Sequence, residues 1–162
     1  MGKEVYRELL EVMKSRGGAF SGADIPEFFA MVEELFTPQD VAVNNAMPKG
    51  PFTAEKMAKL MHQDVEQTEQ ILEQMADKGL CEALTVDNIV YYKSSRFMIG
   101  IFEYQFLPGR ITERDRTLAK LIYAYKTAFY KLGKRGSTPA VPSVRVITVD
   151  STVHPEDIVH TY

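Results

Sequence analysis

The strongest structural signal in this chain lies in residues 53–93, TAEKMAKLMHQDVEQTEQILEQMADKGLCEALTVDNIVYYK. Apolar residues recur at helical spacing over 53–61 and again over 64–78, and a short polar turn separates the two runs. Residues 80–85 and 89–93 then have the composition of two short strands joined by a turn. This order of two helices and a hairpin predicts a winged helix-turn-helix.

Residues at the ends of these elements support the predicted boundaries. Thr53 and Asp64 precede the two helices, and side chains of these types accept hydrogen bonds from the free N–H groups of a first helical turn. Gly79 follows the second helix, where glycine readily takes the left-handed conformation. Asp87 and Asn88 supply turn chemistry between the two predicted strands.

The second helix of this unit is acidic, although it occupies the place where a helix-turn-helix protein reads DNA. DNA-reading helices normally carry Lys and Arg, because neutralisation of phosphate supplies most of the affinity. One base, Lys78, stands here against five acids: Asp64, Glu66, Glu69, Glu73 and Asp77. The fold pattern and the charge pattern therefore disagree, and we expect protein contacts rather than nucleic acid binding.

Length and composition set wider limits. With 162 residues, of which 45% are hydrophobic and 25% charged, the chain suits one domain, or one small domain with extensions. Its one cysteine, Cys81, excludes an internal disulfide and an all-cysteine metal site. The sequence has no long apolar run that predicts a membrane span and no signal-peptide pattern, so a cytoplasmic location is the default expectation.

The net charge of −3 conceals a division along the chain. Residues 53–93 hold four bases and eight acids, whereas residues 94–146 hold ten bases and three acids. Such runs are usually solvated, or the two parts pack against each other. The alternative is that the basic part forms a docking surface for an acidic partner.

We divide the chain into three parts: an N-terminal helical part (1–50), the winged helix-turn-helix (51–95), and a long helix with an extended tail (96–162). The first part is expected to contain three helices, and Pro26 and Pro38 suit the first turns of the second and third. The predicted fold class is mainly α with a small β wing.

The longest helical pattern spans residues 112–132. Its predicted apolar face consists of Leu118, Leu121, Ile122, Tyr125, Phe129 and Leu132. The candidate partner-binding residues lie roughly opposite and are Arg116, Lys120, Lys131 and, if the helix continues, Lys134.

Two further stretches carry structural expectations. Residues 97–109 are so aromatic and apolar that they must pack on the core or in an interface, partly as helix. Residues 143–149 are strongly β-prone, and residues 154–162 resemble the start of a helix that stops before any terminating signal. We therefore expect the natural polypeptide to continue past Tyr162, so that the third part is truncated before a further domain.

No pattern in the sequence indicates catalysis, and we expect this chain not to be an enzyme. Cys81 has no base close in sequence and is expected to be a buried apolar residue, and the glycines fit no phosphate-binding motif. His62, His154 and His160 do not have the spacing of a metal site. The aromatic residues near 97–106 and 123–130 suggest either a base-stacking surface or core, and core is favoured because most follow the buried stripe.

Four segments carry a resemblance to a known family: LFTPQD at 35–40, FTAE at 52–55, QMADKGL at 74–80 and FMIGIFEYQF at 97–106. Over roughly residues 30 to 150, the chain resembles the N-terminal, winged-helix-like region of bacterial and archaeal ferredoxin-type proteins that bind 4Fe-4S clusters. The cysteine-rich motifs that hold those clusters are absent here. No cluster-binding residue is therefore assigned, and 4Fe-4S clusters are expected only in a C-terminal continuation.

The resemblance implies a non-catalytic module of an iron–sulfur protein, used for protein docking or subunit interaction in electron transfer. Its partner would be another protein or its own C-terminal cluster domain, and a homodimer is a further expectation. The alternative function is a winged-helix DNA-binding transcriptional regulator that uses the long amphipathic helix as its dimer interface.

Overall fold

The computed structural model describes residues 2–133. This part of the chain forms seven helices and one antiparallel pair of strands. In chain order the elements are α1 (Gly2–Arg16), α2 (Pro26–Leu35), α3 (Pro38–Ala46), α4 (Ala54–Met61), α5 (Val65–Asp77), β1 (Cys81–Val86), β2 (Ile89–Ser94), α6 (Ile101–Phe106) and α7 (Glu113–Lys131). The predicted class, mainly α with a small β wing, is confirmed.

The helix-turn-helix forms as predicted, and the caps explain its boundaries. Thr53 accepts a hydrogen bond from the backbone N–H of Lys56 at 3.5 Å, and Asp64 accepts one from Gln67 at 3.0 Å. His62 ends α4 in the left-handed conformation, with φ of 53° and ψ of 43°. These local bonds fix where α4 stops and α5 starts.

The hairpin pairs Val86 with Ile89 across a two-residue turn. Asp87 and Asn88 both have positive φ, of 50° and 62°, as the favoured tight hairpin turn requires. Phe52, just before α4, exchanges two backbone hydrogen bonds with Tyr92, at 2.9 and 2.8 Å. The chain ahead of the helix-turn-helix thus contributes a minimal third strand to the wing.

One buried cluster of side chains runs through all of these elements, from Tyr6 in α1 to Phe129 in α7. In the described part, α2 packs on α7, α1 packs on α3, and α4 packs on α5. The boundaries of the predicted three parts stay a prediction.

An ion pair that the sequence did not reveal ties α3 to the end of α5. Asp40 forms a capping box with Thr37, and its carboxylate also accepts from the Lys78 ammonium at 3.1 and 3.2 Å. Asp40 is buried, whereas Lys78 is half-buried. One carboxylate therefore caps a helix and joins two parts of the chain.

Several predicted core positions are wrong. Leu132, assigned to the apolar face of the longest helix, is exposed, and so are Leu60 and Val65, two of the apolar residues at helical spacing within 53–61 and 64–78. Leu60 points away from the inward face of α4, which consists of Ala54, Met57 and Ala58. Val65 is the first residue of α5, and Leu132 directly follows the last residue of α7, so both lie at helix ends.

The aromatic stretch at 97–109 is confirmed as partly helical, since α6 occupies its middle and Phe97 and Phe102 are buried. Lys134, the β-prone segment 143–149, the residues 154–162 and the histidines at 154 and 160 lie outside the described residues.

Candidate docking surface

Helix α7 is held firmly at its start. Thr112 and Asp115 form a capping box, in which the Asp115 carboxylate accepts from the Thr112 backbone N–H at 2.9 Å. The hydrogen bonds from Thr112 lower the pKa of Asp115, and Arg110 and Arg114 add to the effect. Arg114 also reaches α2, where it contacts the Glu34 carboxylate at 3.5 Å.

The inward side of α7 is fixed by aromatic packing. The Tyr125 hydroxyl donates a hydrogen bond to the Phe20 carbonyl at 3.0 Å, and the Tyr125 ring lies 5.7 Å from the rings of Phe28 and Phe129. Burial raises the pKa of Tyr125. The Lys126 ammonium lies 5.1 Å from the centre of the Phe20 ring, which adds a cation–π contact. The helix is therefore a rigid platform for the residues on its outer side.

The structure places three of the four predicted partner-binding residues on that outer side. Arg116, Lys120 and Lys131 are all exposed. Arg116 forms a surface ion pair with Glu113 at 2.8 Å, one helical turn away. Lys134 lies outside the described residues. The position of the basic face is thus as expected, and its role stays a prediction.

Two tyrosines on the outer side of α7 were missed by the sequence analysis. Tyr123 is 74% exposed and Tyr130 is 56% exposed, although the aromatic residues of this region were assigned to the core. The assignment is correct for Tyr125 and Phe129 and wrong for this pair. A spacing signal was available, because Arg116, Tyr123 and Tyr130 follow one another at intervals of seven residues, which places them on one helical stripe.

The tyrosines border a shallow groove of about 420 Å³ between α6 and α7. Its walls are Phe106, Ala119, Ile122, Tyr123, Lys126, Thr127 and Tyr130. Phe106 is also exposed, as are Leu107 and Ile111 in the segment that joins the two helices. Exposed aromatic and aliphatic side chains next to cations make this groove a candidate protein contact site.

The DNA-reading position of the helix-turn-helix is occupied by an acidic surface. Glu66, Glu73 and Asp77 are exposed along α5, and within residues 2–133 none of them forms an ion pair. Burial raises the pKa of the nearby Tyr92 to about 12, and the charges of Glu73 and Glu69 add to the shift. Such a surface repels phosphate.

The acidic and basic parts of the chain do not neutralise each other by direct contact. Across the described range, no ion pair joins residues 53–93 to residues 94–133. On α5, Glu66, Glu73 and Asp77 are exposed, and on α7 Arg116, Lys120 and Lys131 are exposed. Of the two expectations for the divided charge, solvation describes these exposed residues, whereas Asp77 shares a pocket with Arg110 and Arg114, where the end of α5 and the start of α7 approach each other.

Cys81 is buried, as predicted, and its Sγ lies 3.7 Å from the Leu72 carbonyl oxygen. Burial raises the pKa of this thiol to about 12, and Glu82 and Asp40 contribute. A thiol in this environment is protonated at neutral pH and unsuited to attack or to metal binding. Searching residues 2–133 reveals no group of three or more metal-ligating side chains.

No helix within the described residues is both long and apolar enough to cross a membrane. No family model, curated protein or solved structure matches this chain.

Proposed function

We propose that this chain is a non-catalytic module that docks onto another protein through the outer side of α7. One observation carries the proposal: Tyr123 and Tyr130 lie exposed on the same helical stripe as Arg116, at the edge of the groove between α6 and α7. Tyrosine and arginine dominate the binding energy of protein interfaces, because both combine large contact area with a polar group.

The charges next to these tyrosines define the partner. Arg116, Lys120 and Lys131 require an acidic surface opposite them, and such pairing accelerates association by electrostatic steering. The groove accepts one apolar side chain of that partner. The packing and cap described for α7 hold the contact residues in place before binding, which reduces the entropy lost on association.

We further propose that the docking serves electron transfer, with the module positioning an iron–sulfur domain against a redox partner or a second subunit. This part rests on the sequence resemblance. The chain itself does not fit a cluster, because its one cysteine is buried and protonated, whereas a cluster needs several thiolates. The clusters are assigned to a C-terminal continuation.

Site-specific crosslinking tests the docking proposal. A photoreactive residue replaces Tyr123 in the natural polypeptide, and the control places the same residue at exposed Glu8 on α1. We expect the first position to yield one dominant adduct with an acidic protein, and the double charge reversal Arg116→Glu/Lys120→Glu to remove it. Equal adducts from both positions, or an adduct that survives charge reversal, contradict the proposal.

The affinity of that complex gives a second readout. Tyr123→Ala is expected to weaken binding by about 2 kcal/mol, or about thirtyfold, if the ring is a central contact. Charge reversal should both weaken the complex and make its salt dependence shallower. An unchanged salt slope would show that the basic face does not participate.

Iron analysis tests the electron-transfer part separately. The natural polypeptide, purified without oxygen, is assayed for iron and acid-labile sulfide. Iron and sulfide in cluster proportions support the assignment. Their absence removes the electron-transfer role and leaves the docking proposal standing.

DNA binding remains the alternative because the helix-turn-helix and its wing are formed and α5 is accessible. A gel-shift assay with random-sequence duplex at low salt decides it. We expect no shift, since the accessible residues of α5 are acidic, and a salt-sensitive shift would favour the regulator.

A further inference from the structure

The exposed acids of α5 and the exposed bases of α7 share the same spacing. Glu66 and Asp77 are eleven residues apart, and so are Lys120 and Lys131. Eleven residues are just over three helical turns, so each pair lies on one side of its helix with its members about 16 Å apart. All four side chains are exposed.

Within residues 2–133, the acidic face of α5 and the basic face of α7 do not pack on each other. α5 packs on α4 and β1, whereas α7 packs on α2 and α6, and both charged sides point outward. In the part of the chain that the structure describes, none of these four residues forms an ion pair. Among the described residues, Arg110 and Arg114 share a pocket with Asp77, and a second copy of the chain offers a complementary surface along the full length of each face.

We propose that the acidic face of α5 docks the basic face of α7 from a second copy of this chain. An antiparallel pairing of the two helices places Glu66 against Lys131 and Asp77 against Lys120. Tyr123, exposed between the two lysines, lies between the two intermolecular ion pairs and supplies apolar contact there. The antiparallel direction also aligns the two helix dipoles favourably.

Such a contact joins two different faces, so it repeats. After one such pairing, one copy still presents a free basic face and the other a free acidic face, which leads to a ring or to an open chain rather than to a closed two-fold dimer. A single helix pair buries less than a standard interface, so association is weak and salt-sensitive.

The inference rests on the proposed function in that both use the basic face of α7, and self-association covers the surface that a foreign partner would occupy. The acidic face belongs to self-association alone. The double variant Glu66→Lys/Asp77→Lys therefore disables pairing between copies and leaves partner docking intact, so failure of one idea is distinguishable from failure of the other.

Sedimentation velocity of the full chain at low and high salt provides the test, over about 10 μM to about 1 mM. We expect the average mass to rise with concentration at low salt, with no plateau at twice the monomer mass, and to return to the monomer mass at high salt. Glu66→Lys/Asp77→Lys and Lys120→Glu/Lys131→Glu should each remain monomeric. Glu4→Lys/Glu8→Lys, on exposed positions of α1, changes the net charge as the first variant does and should still associate.

An equimolar mixture of the two reversed variants is the decisive sample. In Glu66→Lys/Asp77→Lys both faces are basic, and in Lys120→Glu/Lys131→Glu both faces are acidic. A contact between one variant and the other therefore joins opposite charges, so association should return in the mixture. The chain with all four substitutions should also associate. Wild-type protein that stays monomeric throughout, single-face variants that associate as wild type does, or a mixture that stays monomeric overturns the proposal.

Discussion

The Tyr92 hydroxyl allows a test of how much an unpaired polar group in this core lowers the free energy of unfolding. Tyr92 lies fully buried between the wing and α5, and its hydroxyl has no hydrogen-bond partner among the described residues. Two other buried tyrosines differ in this respect. Tyr6 donates to the Phe36 carbonyl at 2.9 Å and Tyr125 donates to the Phe20 carbonyl at 3.0 Å. The same Tyr→Phe change therefore removes an unpaired hydroxyl in one case and a hydrogen bond in the others.

These differences set opposite signs for the change in unfolding free energy. Removing the Tyr92 hydroxyl recovers its desolvation penalty while the ring continues to fill its space, so Tyr92→Phe should stabilise the protein by about 1 kcal/mol. Tyr125→Phe leaves the buried Phe20 carbonyl without its donor and should destabilise by about 1–2 kcal/mol. For a chain of this length, 1 kcal/mol corresponds to a shift in Tm of about 2–4 °C.

Urea unfolding, followed by circular dichroism, measures all three variants under identical conditions. Tyr6→Phe serves as a second hydrogen-bonded control and should behave like Tyr125→Phe. The slopes of the transitions should be equal, because the variants expose the same surface on unfolding. If Tyr92→Phe destabilises the protein as much as Tyr125→Phe, the Tyr92 hydroxyl has a partner in solution and the reasoning is refuted.

Three further predictions concern pH, a glycine and the cysteine. The folded-state pKa of Tyr92 is raised from 10.0 to about 12. The contribution of this protonated phenol to the free energy of unfolding is therefore complete below pH 10 and is lost as the pH rises toward 12. Tyr92→Phe should make the alkaline loss of stability less steep in urea titrations at pH 9 to 12. Gly79→Ala should lower the free energy of unfolding by about 2 kcal/mol, because φ is +69° and the new Cβ would lie 2.7 Å from the Cβ of Tyr104. Gly50→Ala is the control: φ is +80°, but the space around the new Cβ is open, so the loss in the same assay should be about 1 kcal/mol. Equal losses would show that the contact at Gly79 relaxes without cost. Cys81 should react with a thiol reagent at pH 8 only after denaturant is added, and rapid labelling of the folded protein would contradict its burial.

The sequence predicted those features that depend on neighbouring residues. The caps at Thr53 and Asp64 and the turn at Asp87 each involve hydrogen bonds or dihedral angles within a few positions. Local chemistry of this kind is legible in a single sequence, which explains why the helix-turn-helix and wing were placed correctly.

Features that depend on distant residues were not predictable. The pairing of Asp40 with Lys78 joins residues 38 positions apart, and the strand contact of Phe52 with Tyr92 joins residues 40 positions apart. The exposure of Tyr123 depends on which side of α7 the α2 helix covers, and a helical pattern with aromatic residues all round leaves that choice open. The basic half of the candidate surface was therefore found from sequence, and its aromatic half was not.

The hydrogen bonds between Phe52 and Tyr92 have a consequence for how the wing region opens. They close a loop that contains all of α4, α5 and β1, and a loop of this length costs about 3 kcal/mol of chain entropy to form. The chain regains that entropy only when Phe52 separates from Tyr92. Fraying of α4 or of the hairpin tip alone therefore releases little conformational entropy. The amide hydrogens of Phe52 and Tyr92 should then exchange with solvent together, in one cooperative opening that releases the helix-turn-helix as a unit.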